Sequence, residues 1–310
     1  MITYEYSRAS VEHPERNEDA TLIFHTPGKA PVFAMIDGMG GHQRTLPDGT
    51  VVTGREAAQM VRATFIEDLG DLLPDVDASP GGLAEREALA ALGRAHERVL
   101  NQLNGGTAHP LNERVGAVAT IAIVCENGGR LLVAQVGDTR AYLSSAGELI
   151  QVCYDEDNIQ YLVEQGMLSD ADGVRITDVL NSFDGVTEPR VSGTVTIGGS
   201  PYELYLAWRW FVVGNSVLNI PPANIVIKSL GIVPDMSSPQ VSRIEIAPGD
   251  SLFMCSDGVY KNLTDAELLA GLNAHDNAAE WLGSAAFARS EDRDNRRSTQ
   301  DDVSALLVRL

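Results

Sequence analysis

Cysteine is scarce in this chain, and its scarcity excludes two kinds of site. The 310 residues include three cysteines, Cys125, Cys153 and Cys255, which are odd in number and widely spaced. A disulfide framework needs cysteine pairs, and a zinc site of the CxxC kind needs cysteines that are close in sequence. Neither is expected here. Unpaired thiols fit a reducing compartment, so we expect a cytoplasmic protein.

Basic residues are also few. Lys and Arg total 23 against 43 Asp and Glu, and the formal net charge is −20. Proteins that bind nucleic acid usually cluster their basic side chains, and the pair Arg296-Arg297 is the most that this sequence offers. We therefore expect no nucleic-acid partner. An anionic substrate would need another source of positive charge, such as a metal ion.

Long apolar runs are absent as well. The most apolar stretch, Leu204–Val213, contains Arg209 and is about half as long as a membrane-spanning helix. The N-terminal segment 1–20 has no apolar core of the kind found in secretory signals. We expect neither a membrane partner nor secretion.

The residues that are present have the composition of a globular protein, with 44% hydrophobic and 21% charged. Apolar residues that alternate predict strands, and those spaced by three and four predict helices. Helices are predicted at 54–69, 83–103, 156–166, 264–272 and 278–288, and strands at 2–6, 21–25, 32–36, 117–125, 130–136, 140–143, 148–152, 241–246, 251–255 and 303–310. Helix pairs separated by antiparallel meanders favour an α+β fold.

One segment, 183–227, does not fit this pattern. It is rich in Gly, Val, Ile, Tyr and Trp, which predicts extra strands with long connections, forming a flap. Its aromatic residues Trp208, Trp210 and Phe211 are expected to form strand core or a flap packing surface, with a partner-binding patch as the alternative. Because no internal repeat or low-complexity linker is present, we predict a single domain over 1–310 with an insertion at 183–227.

Aspartates border strongly apolar strands at four places. These are Asp37 after 32–36, Asp138 after 131–137, Asp257 after 252–256, and Asp301-Asp302 before 303–310. Carboxylates that converge at the ends of buried strands repel one another unless a cation lies among them. Oxygen ligands favour hard ions such as Mg²⁺ or Mn²⁺ over zinc. Asp-Gly after a strand is also a common turn, so each position taken alone is open to that simpler interpretation.

Five segments occur in an order that is typical of one enzyme family. They are NEDA at 17–20, MIDGMGGH at 35–42, VGDTRAYL at 136–143, CSDGV at 255–259 and QDDVS at 300–304. Together they resemble the metal-dependent serine/threonine protein phosphatases (the PPM or protein phosphatase 2C type) in their bacterial form. The resemblance covers roughly 3–182 and 228–310. It implies a four-layer α-β-β-α sandwich, in which two antiparallel sheets are flanked by helices and a two-metal site lies at one end.

The resemblance also implies a set of metal ligands. Asp37 would bridge two Mn²⁺ or Mg²⁺ ions, and the carbonyl oxygen of Gly38 would bind one of them. Asp257 and Asp301 would complete the coordination of the other ion. Asp138, together with Asp257, would help to hold a third, weaker ion.

Glu18 and Asp19 are implied as catalytic residues that act through water on the metals. Family members carry a phosphate-contacting arginine five residues before this aspartate, where the present chain has Pro14. We predict that Arg16 takes this role, with Arg8 as the alternative. Three further departures from the family pattern are an insertion at 43–53, Asp302 in place of the usual asparagine, and Asp155-Glu156 in place of Asp-His.

Two histidines and one acidic segment have simpler interpretations. His42 follows the glycines near the predicted site and would serve either as a general acid or in a loop hydrogen bond. His96 lies on the apolar face of a predicted helix and is expected to be a core residue. Asp170-Ala171-Asp172-Gly173 lacks the remaining ligands of a calcium loop, so a turn is predicted there.

The resemblance implies hydrolysis of phosphoserine or phosphothreonine in a phosphorylated protein, by attack of a metal-bridging water. Two alternatives stay open. One is a catalytically weak, phosphatase-like regulatory or binding module, which would fit Pro14 and an apolar insertion that binds a protein partner. The other is a hydrolase of small phosphate esters, because the same metals would serve that reaction.

Overall fold

Two five-stranded antiparallel sheets form the centre of the computed structural model, which describes residues 1–41, 43–223, 225–236 and 238–310. The first sheet has the order β1 (Ile2–Arg8), β14 (Val303–Arg309), β13 (Ser251–Cys255), β8 (Arg140–Ser145) and β9 (Glu148–Gln151). The second has the order β12 (Gln240–Glu245), β7 (Arg130–Val136), β6 (Ala117–Cys125), β3 (Val32–Gly38) and β2 (Ala20–Phe24).

The central strands are apolar on both faces because each sheet is covered on both sides. Successive side chains of a strand point to opposite faces. In β3, Phe33 and Met35 belong to the apolar layer between the two sheets, whereas Val32, Ala34 and Ile36 pack in the cluster under the helices. Continuous apolar runs such as 32–36 are therefore expected for these strands.

Helices form the two outer layers. The second sheet is covered by α1 (Gly54–Leu69) and α2 (Leu83–Arg98), and the first by α7 (Asp265–Ala274) and α8 (Ala278–Ser290). A π-helical turn at Val99–Leu103 follows α2, within the predicted helix 83–103. The α+β class and the four-layer α-β-β-α sandwich predicted from the sequence are confirmed.

Between β9 and β12 the chain forms a separate apolar cluster, which extends beyond the flap predicted at 183–227. From here on, the name flap refers to the whole cluster, residues 158–223. It contains α3 (Asn158–Glu164), α4 (Asp170–Ser182), the hairpin β10 (Thr194–Ile197) and β11 (Ser200–Glu203), and α5 (Leu204–Val213). The side chains of Trp208 and Phe211 are 2% and 1% exposed in the middle of this cluster. The flap thus has an apolar core of its own.

Two predictions for this region were wrong. The segment 183–227 was predicted to form extra strands with long connections, and it does so at β10 and β11, but Leu204–Val213 within it is the helix α5. The buried residues of α5, Leu204, Ala207, Trp208 and Phe211, recur at helical spacing. Aromatic and β-branched residues there suggested strand, but the burial of one helical face decided the conformation. The turn predicted at 170–173 is the first turn of α4, where the Ser169 hydroxyl accepts a hydrogen bond from the Asp172 N–H over 3.1 Å.

Three short elements complete the part of the fold that positions the site. The inserted segment 43–53 forms the hairpin β4 (Gln43–Thr45) and β5 (Val51–Thr53), which leads directly into α1. The single helical turn α6 (Asp257–Tyr260) follows β13. In the described residues, we find no helix with the length and apolarity required to cross a membrane.

Candidate functional site

Asp37 and Gly38 end strand β3. At Gly38, close packing of neighbouring backbone leaves no room for a side chain. A Cβ atom on Gly38 would lie 2.3 Å from the carbonyl oxygen of Gly54 and 2.7 Å from that of Glu18. The Gly38 N–H donates a hydrogen bond to the same Glu18 oxygen over 3.1 Å. Gly38 therefore allows the start of α1 and the Glu18 segment to pack against the end of β3, beside Asp37.

Asp257 and Asp301 lie at the same end of two neighbouring interior strands of the first sheet. Asp257 begins α6 after β13, and Asp301 precedes β14, the antiparallel neighbour of β13. A Cβ atom on Gly258 would lie 2.0 Å from the carbonyl oxygen of Asp302. Glycine after Asp257 thus lets the two chain segments, each with its aspartate, approach this closely.

Asp138 lies between β7 and β8, where the chain passes from the second sheet to the first. The Tyr260 hydroxyl donates a hydrogen bond to Asp138 Oδ2 over 3.0 Å. Lys261 Nζ lies 3.4 Å from the same oxygen and also forms an ion pair with Asp257 Oδ2. Burial lowers the pKa of Lys261, but the charges of Asp257 and Asp138 outweigh burial and raise it overall.

The electrostatics of Asp37 show which predicted residues the fold brings together. Burial raises the pKa of Asp37 well above its ordinary value. The carboxyl groups of Asp19, Asp257, Asp301 and Asp138 each raise it further. Four segments that are distant in sequence therefore place their carboxyl groups near that of Asp37.

The neighbouring carboxyl groups are perturbed in the same direction. Burial is the main cause in each case. It raises the pKa of Asp19 well above its ordinary value, that of Asp301 to about 8 and that of Asp138 to about 6, and it also raises the pKa of Glu18. Negative neighbours add to this rise, Asp302 for Asp19 and Asp257 for Asp301. The site is a buried concentration of negative charge that Lys261 and Arg16 compensate only in part.

Several carboxylate oxygens of the site have no hydrogen-bond partner among the described residues. They are both oxygens of Asp19, Oδ1 of Asp257 and Oε1 of Glu18. The Ser256 and Ser304 hydroxyls lower the pKa of Asp19, but neither makes a hydrogen bond of normal geometry to it. Buried acceptors without partners are rare in native proteins and indicate a missing ion or water.

A hard divalent cation fits this donor set. The unpartnered acceptors of the site among the described residues are all carboxylate oxygens, the ligands that Mg²⁺ and Mn²⁺ prefer. Across the described ranges, no three histidine, cysteine, aspartate or glutamate side chains already stand in the arrangement of a formed metal site. The carboxyl groups are electrostatic neighbours, and an ion would draw them into coordination.

The two candidate arginines have different surroundings. Arg16 Nε lies 3.3 Å from Glu18 Oε1, an ion pair without hydrogen-bond geometry, and the Arg16 side chain is 28% exposed. Arg8 packs its guanidinium over the ring of Phe287 in α8, 3.4 Å from the ring centroid. Arg16 is therefore the arginine beside the catalytic segment, and Arg8 is engaged by the outer helix layer.

Asp302 contributes to the site in a way that sequence reasoning missed. Its Oδ1 accepts a hydrogen bond from the Ser10 N–H over 2.7 Å, and its Oδ2 accepts one from the Glu18 N–H over 2.6 Å. Asp302 thus ties the segment that carries Glu18 and Asp19 to the start of β14. The only signal in the sequence was the aspartate at a position where the family usually has asparagine.

Arg140 and Glu156 support Asp138, and this too was missed. Arg140 Nη2 lies 2.6 Å from Asp155 Oδ2, and its guanidinium stacks 3.6 Å from the ring centroid of Tyr260, the donor to Asp138. Glu156 Oε2 accepts a hydrogen bond from the Gly137 N–H over 2.8 Å. The departure Asp155-Glu156 was the signal, but only the pairing of distant segments shows what it does.

Of the two histidines singled out in the sequence, His96 is a buried core residue. His42 lies outside the described residues. His96 is 3% exposed, and its Nδ1 accepts a hydrogen bond from the Gly231 N–H over 3.2 Å. Burial lowers its pKa, which favours the neutral imidazole. His96 is the core residue that the sequence predicted.

A cavity of about 320 Å³ opens beside Asp138 and Lys261. Its opposite wall comes from the flap and includes Phe183, Phe211 and Val212. The cavity therefore joins the acidic site to the flap, and it is large enough to admit part of a substrate.

Comparison with known proteins gives a consistent result. The serine/threonine protein phosphatase PstP of Mycobacterium tuberculosis (strain CDC 1551 / Oshkosh) is 31% identical over 145 residues, which cover 45% of this chain but only 23% of PstP. The serine/threonine phosphatase stp of Listeria innocua serovar 6a is 22% identical over 272 residues, or 84% of this chain and 78% of that protein.

The fold and the family model agree with these relatives. The crystal structure of a bacterial serine phosphatase has the same fold, with a TM-score of 0.66 at 18% identity over 99% of this chain and 96% of that chain. Residues 8–294 match the family model described as protein phosphatase 2C. The matched region includes Asp19, Asp37, Asp138 and Asp257 of the acidic site, whereas Asp301 and Asp302 follow it. The chain belongs to the protein phosphatase 2C family.

Proposed function

We propose that this protein hydrolyses phosphoserine and phosphothreonine in other proteins, with Mn²⁺ or Mg²⁺ as cofactor. The observation that carries the proposal is the set of buried carboxylate oxygens of Glu18, Asp19 and Asp257 that have no hydrogen-bond partner among the described residues. A divalent cation would satisfy these oxygens and offset their negative charge. Membership of the protein phosphatase 2C family supports phosphoester hydrolysis as the reaction.

The proposed ligands are residues of this acidic site. Asp37 would bridge two ions, the Gly38 carbonyl would bind one of them, and Asp257 and Asp301 would complete the second. When bound, the ions supply positive charge that ionises a water molecule and attracts the phosphoryl oxygens. The Asp257 oxygen without a partner, Oδ1, supports its place in this set.

The chain's own residues would orient water and substrate. Asp19 and Glu18 retain carboxylate oxygens without partners, which are acceptors for the protons of water. Arg16 Nε also lacks a hydrogen-bond partner among the described residues, so it retains a donor for a phosphoryl oxygen. We propose Glu18 and Asp19 as water-orienting residues and Arg16 as the phosphate contact.

We predict hydrolysis of an aryl phosphate and of a phosphothreonine peptide in Mn²⁺, lost on chelation and restored by added metal. Asp257→Asn should lower kcat by several orders of magnitude because a metal ligand is lost. The matched control is Asp276→Asn, the same change at an exposed position, which should retain activity.

Other outcomes separate the competing functions. Activity that survives complete chelation would contradict the proposal. Hydrolysis of small esters without any phosphopeptide activity would indicate a small-molecule phosphatase. Metal uptake without turnover of any substrate would indicate a regulatory or binding module.

We also propose that the substrate polypeptide occupies the cavity between the flap and the acidic site, so that a protein partner contacts the insertion at 183–227. The cavity is lined by Asp138 and Lys261 on one side and by Val212 on the other. We predict that Val212→Ser raises KM for a phosphopeptide several-fold but leaves KM for an aryl phosphate unchanged. Val213→Ser is the matched control, since Val213 is 66% exposed on the same helix. Equal effects on both substrates would contradict this placement.

Two further proposals concern organisation and location. The cavity shared by the flap and the sandwich supports one catalytic domain over 1–310, with 183–227 as an insertion. The free cysteines Cys125, Cys153 and Cys255 are buried, and burial raises the pKa of Cys125 to about 12 and that of Cys153 to about 11. That these three cysteines are free, with no disulfide among them, supports a reducing cytoplasm as the location.

A further inference from the structure

Asp138 and Asp257 are the residues that the family resemblance assigns to a third metal ion, and a lysine already lies between them. Lys261 Nζ lies 3.4 Å from Asp138 Oδ2 and forms an ion pair with Asp257 Oδ2. The side chains of Asp138 and Asp257 are 6% and 11% exposed, and that of Lys261 is 19% exposed. The contact is thus an interior ion triad.

The backbone of α6 directs Lys261 to this position. Lys261 follows Asp257 by four residues, and its N–H donates a hydrogen bond to the Asp257 carbonyl over 2.9 Å. Side chains four residues apart on a helical turn lie on the same face. The ammonium is therefore placed over the Asp257 carboxylate by local geometry, and it meets Asp138 because β8 and β13 are neighbours in the first sheet.

One oxygen of each carboxylate that a third ion would need is already engaged. Asp138 Oδ2 accepts a hydrogen bond from the Tyr260 hydroxyl and contacts the Lys261 ammonium. Asp257 Oδ2 contacts the same ammonium. Asp257 Oδ1 has no hydrogen-bond partner among the described residues and is available to the two metal ions proposed above. A divalent ion between these carboxylates would also lie within a few ångströms of a positive charge, which is strongly repulsive in a partly dehydrated site. The residues therefore do not fit a third ion.

We propose that the Lys261 ammonium permanently replaces the third metal ion, so that this protein binds two divalent ions and supplies the third cation from its own chain. A lysine ammonium is a compact charge with three N–H donors, which suits bridging two carboxylates. This inference rests on the proposed two-metal function and adds that Asp138 is a positioning residue and not a metal ligand.

The test is the number of Mn²⁺ ions bound per chain, measured by calorimetric titration and by the EPR signal of free Mn²⁺. We expect two ions for the full wild-type chain and three for Lys261→Asp, which replaces the cation by a third carboxylate. Lys29→Asp is the matched control, because the same charge change falls on a surface lysine paired with the exposed Asp71, and it should stay at two. Circular dichroism checks that each variant is folded.

Lys261→Gln removes the ammonium without adding a negative charge, and it decides the question if Lys261→Asp does not fold. A third ion in Lys261→Asp supports the inference, as does a third ion in Lys261→Gln where Lys261→Asp does not fold. Three ions in the wild type, or two in the variant that decides the question, overturns the inference and leaves the proposed phosphatase function intact. A wild-type chain that binds no Mn²⁺ overturns both.

Discussion

The two carboxylate oxygens of Asp302 explain why this position requires aspartate. Each of its carboxylate oxygens accepts a hydrogen bond from a backbone N–H, one from Ser10 and one from Glu18. Asparagine has one carbonyl oxygen and an NH₂ group that cannot accept. Aspartate at this position is therefore explained by two donors that both need an acceptor.

We predict that Asp302→Asn lowers the free energy of unfolding by about 1–3 kcal/mol, because one buried N–H would face an amide NH₂. Urea denaturation of the metal-free protein measures the change. Asp294→Asn, the same substitution on the exposed surface, should alter stability by less than about 0.5 kcal/mol. Equal stability of Asp302→Asn and the wild type would contradict this role.

At the scale of an element, helix α3 depends on a half-buried aspartate at its N-terminus. Asp157 Oδ1 accepts hydrogen bonds from the N–H groups of Ile159 and Gln160, over 2.8 and 3.1 Å. Burial raises the pKa of Asp157 to about 7, and the charge of Asp155 adds to the rise while these two hydrogen bonds oppose it. Between about pH 4 and pH 7, the folded protein thus holds a proton on Asp157 that the unfolded chain, with a pKa near 4, has already released.

The sign of the pH dependence follows from this difference. The contribution of the protonated Asp157 is fully present below about pH 4 and is lost as the pH rises to about 7. We predict that the stability of the metal-free wild type relative to Asp157→Asn falls as the pH rises from about 5 to about 7, by up to about 1.4 kcal/mol per pH unit. Above about pH 7 this stability difference should no longer change with pH. Asparagine keeps the cap but does not titrate.

Urea denaturation of both proteins at several pH values gives this difference. Comparing the two proteins removes the contributions of the other carboxyl groups, which titrate in both. A difference in stability that is constant from pH 5 to 7 would contradict the raised pKa of Asp157.

At the scale of the whole molecule, negative charge is the main unfavourable term that metal binding would relieve. The chain carries a net charge of −20, and the acidic site concentrates several of these charges in its interior. Self-repulsion of this kind weakens the folded state. Ions that bind only the folded chain would stabilise it by mass action.

We predict that Mn²⁺ at 100 times its Kd raises the stability of the folded chain by about 2.7 kcal/mol for each of the two proposed sites, and Tm by about 4 °C for each site. Thermal denaturation followed by circular dichroism measures the shift. Asp257→Asn should lose most of it, whereas Asp276→Asn should retain it. A shift of the same size from NaCl at matched ionic strength would mean that general screening, not site binding, is responsible.

The sequence allowed most of the sandwich to be predicted because its strands and helices carry clear periodic patterns. The helix 54–69 and the strands 117–125 and 130–136 were predicted with the bounds that the structure has. The helix Leu204–Val213 was not, because its aromatic residues favour strand when burial is unknown. Asp37, Asp138, Asp257 and Asp301 were recognised as candidates from their places beside apolar strands.

Local pattern therefore determined the element types, the α+β class and the acidic candidates, because these depend on side-chain spacing along the chain. Tertiary structure alone decided that Asp302 holds two distant N–H groups and that Glu156 supports the turn before Asp138. It also decided that Lys261 lies between Asp138 and Asp257. These contacts join residues of different strands and helices, and only the packing of the two sheets brings them within hydrogen-bond distance.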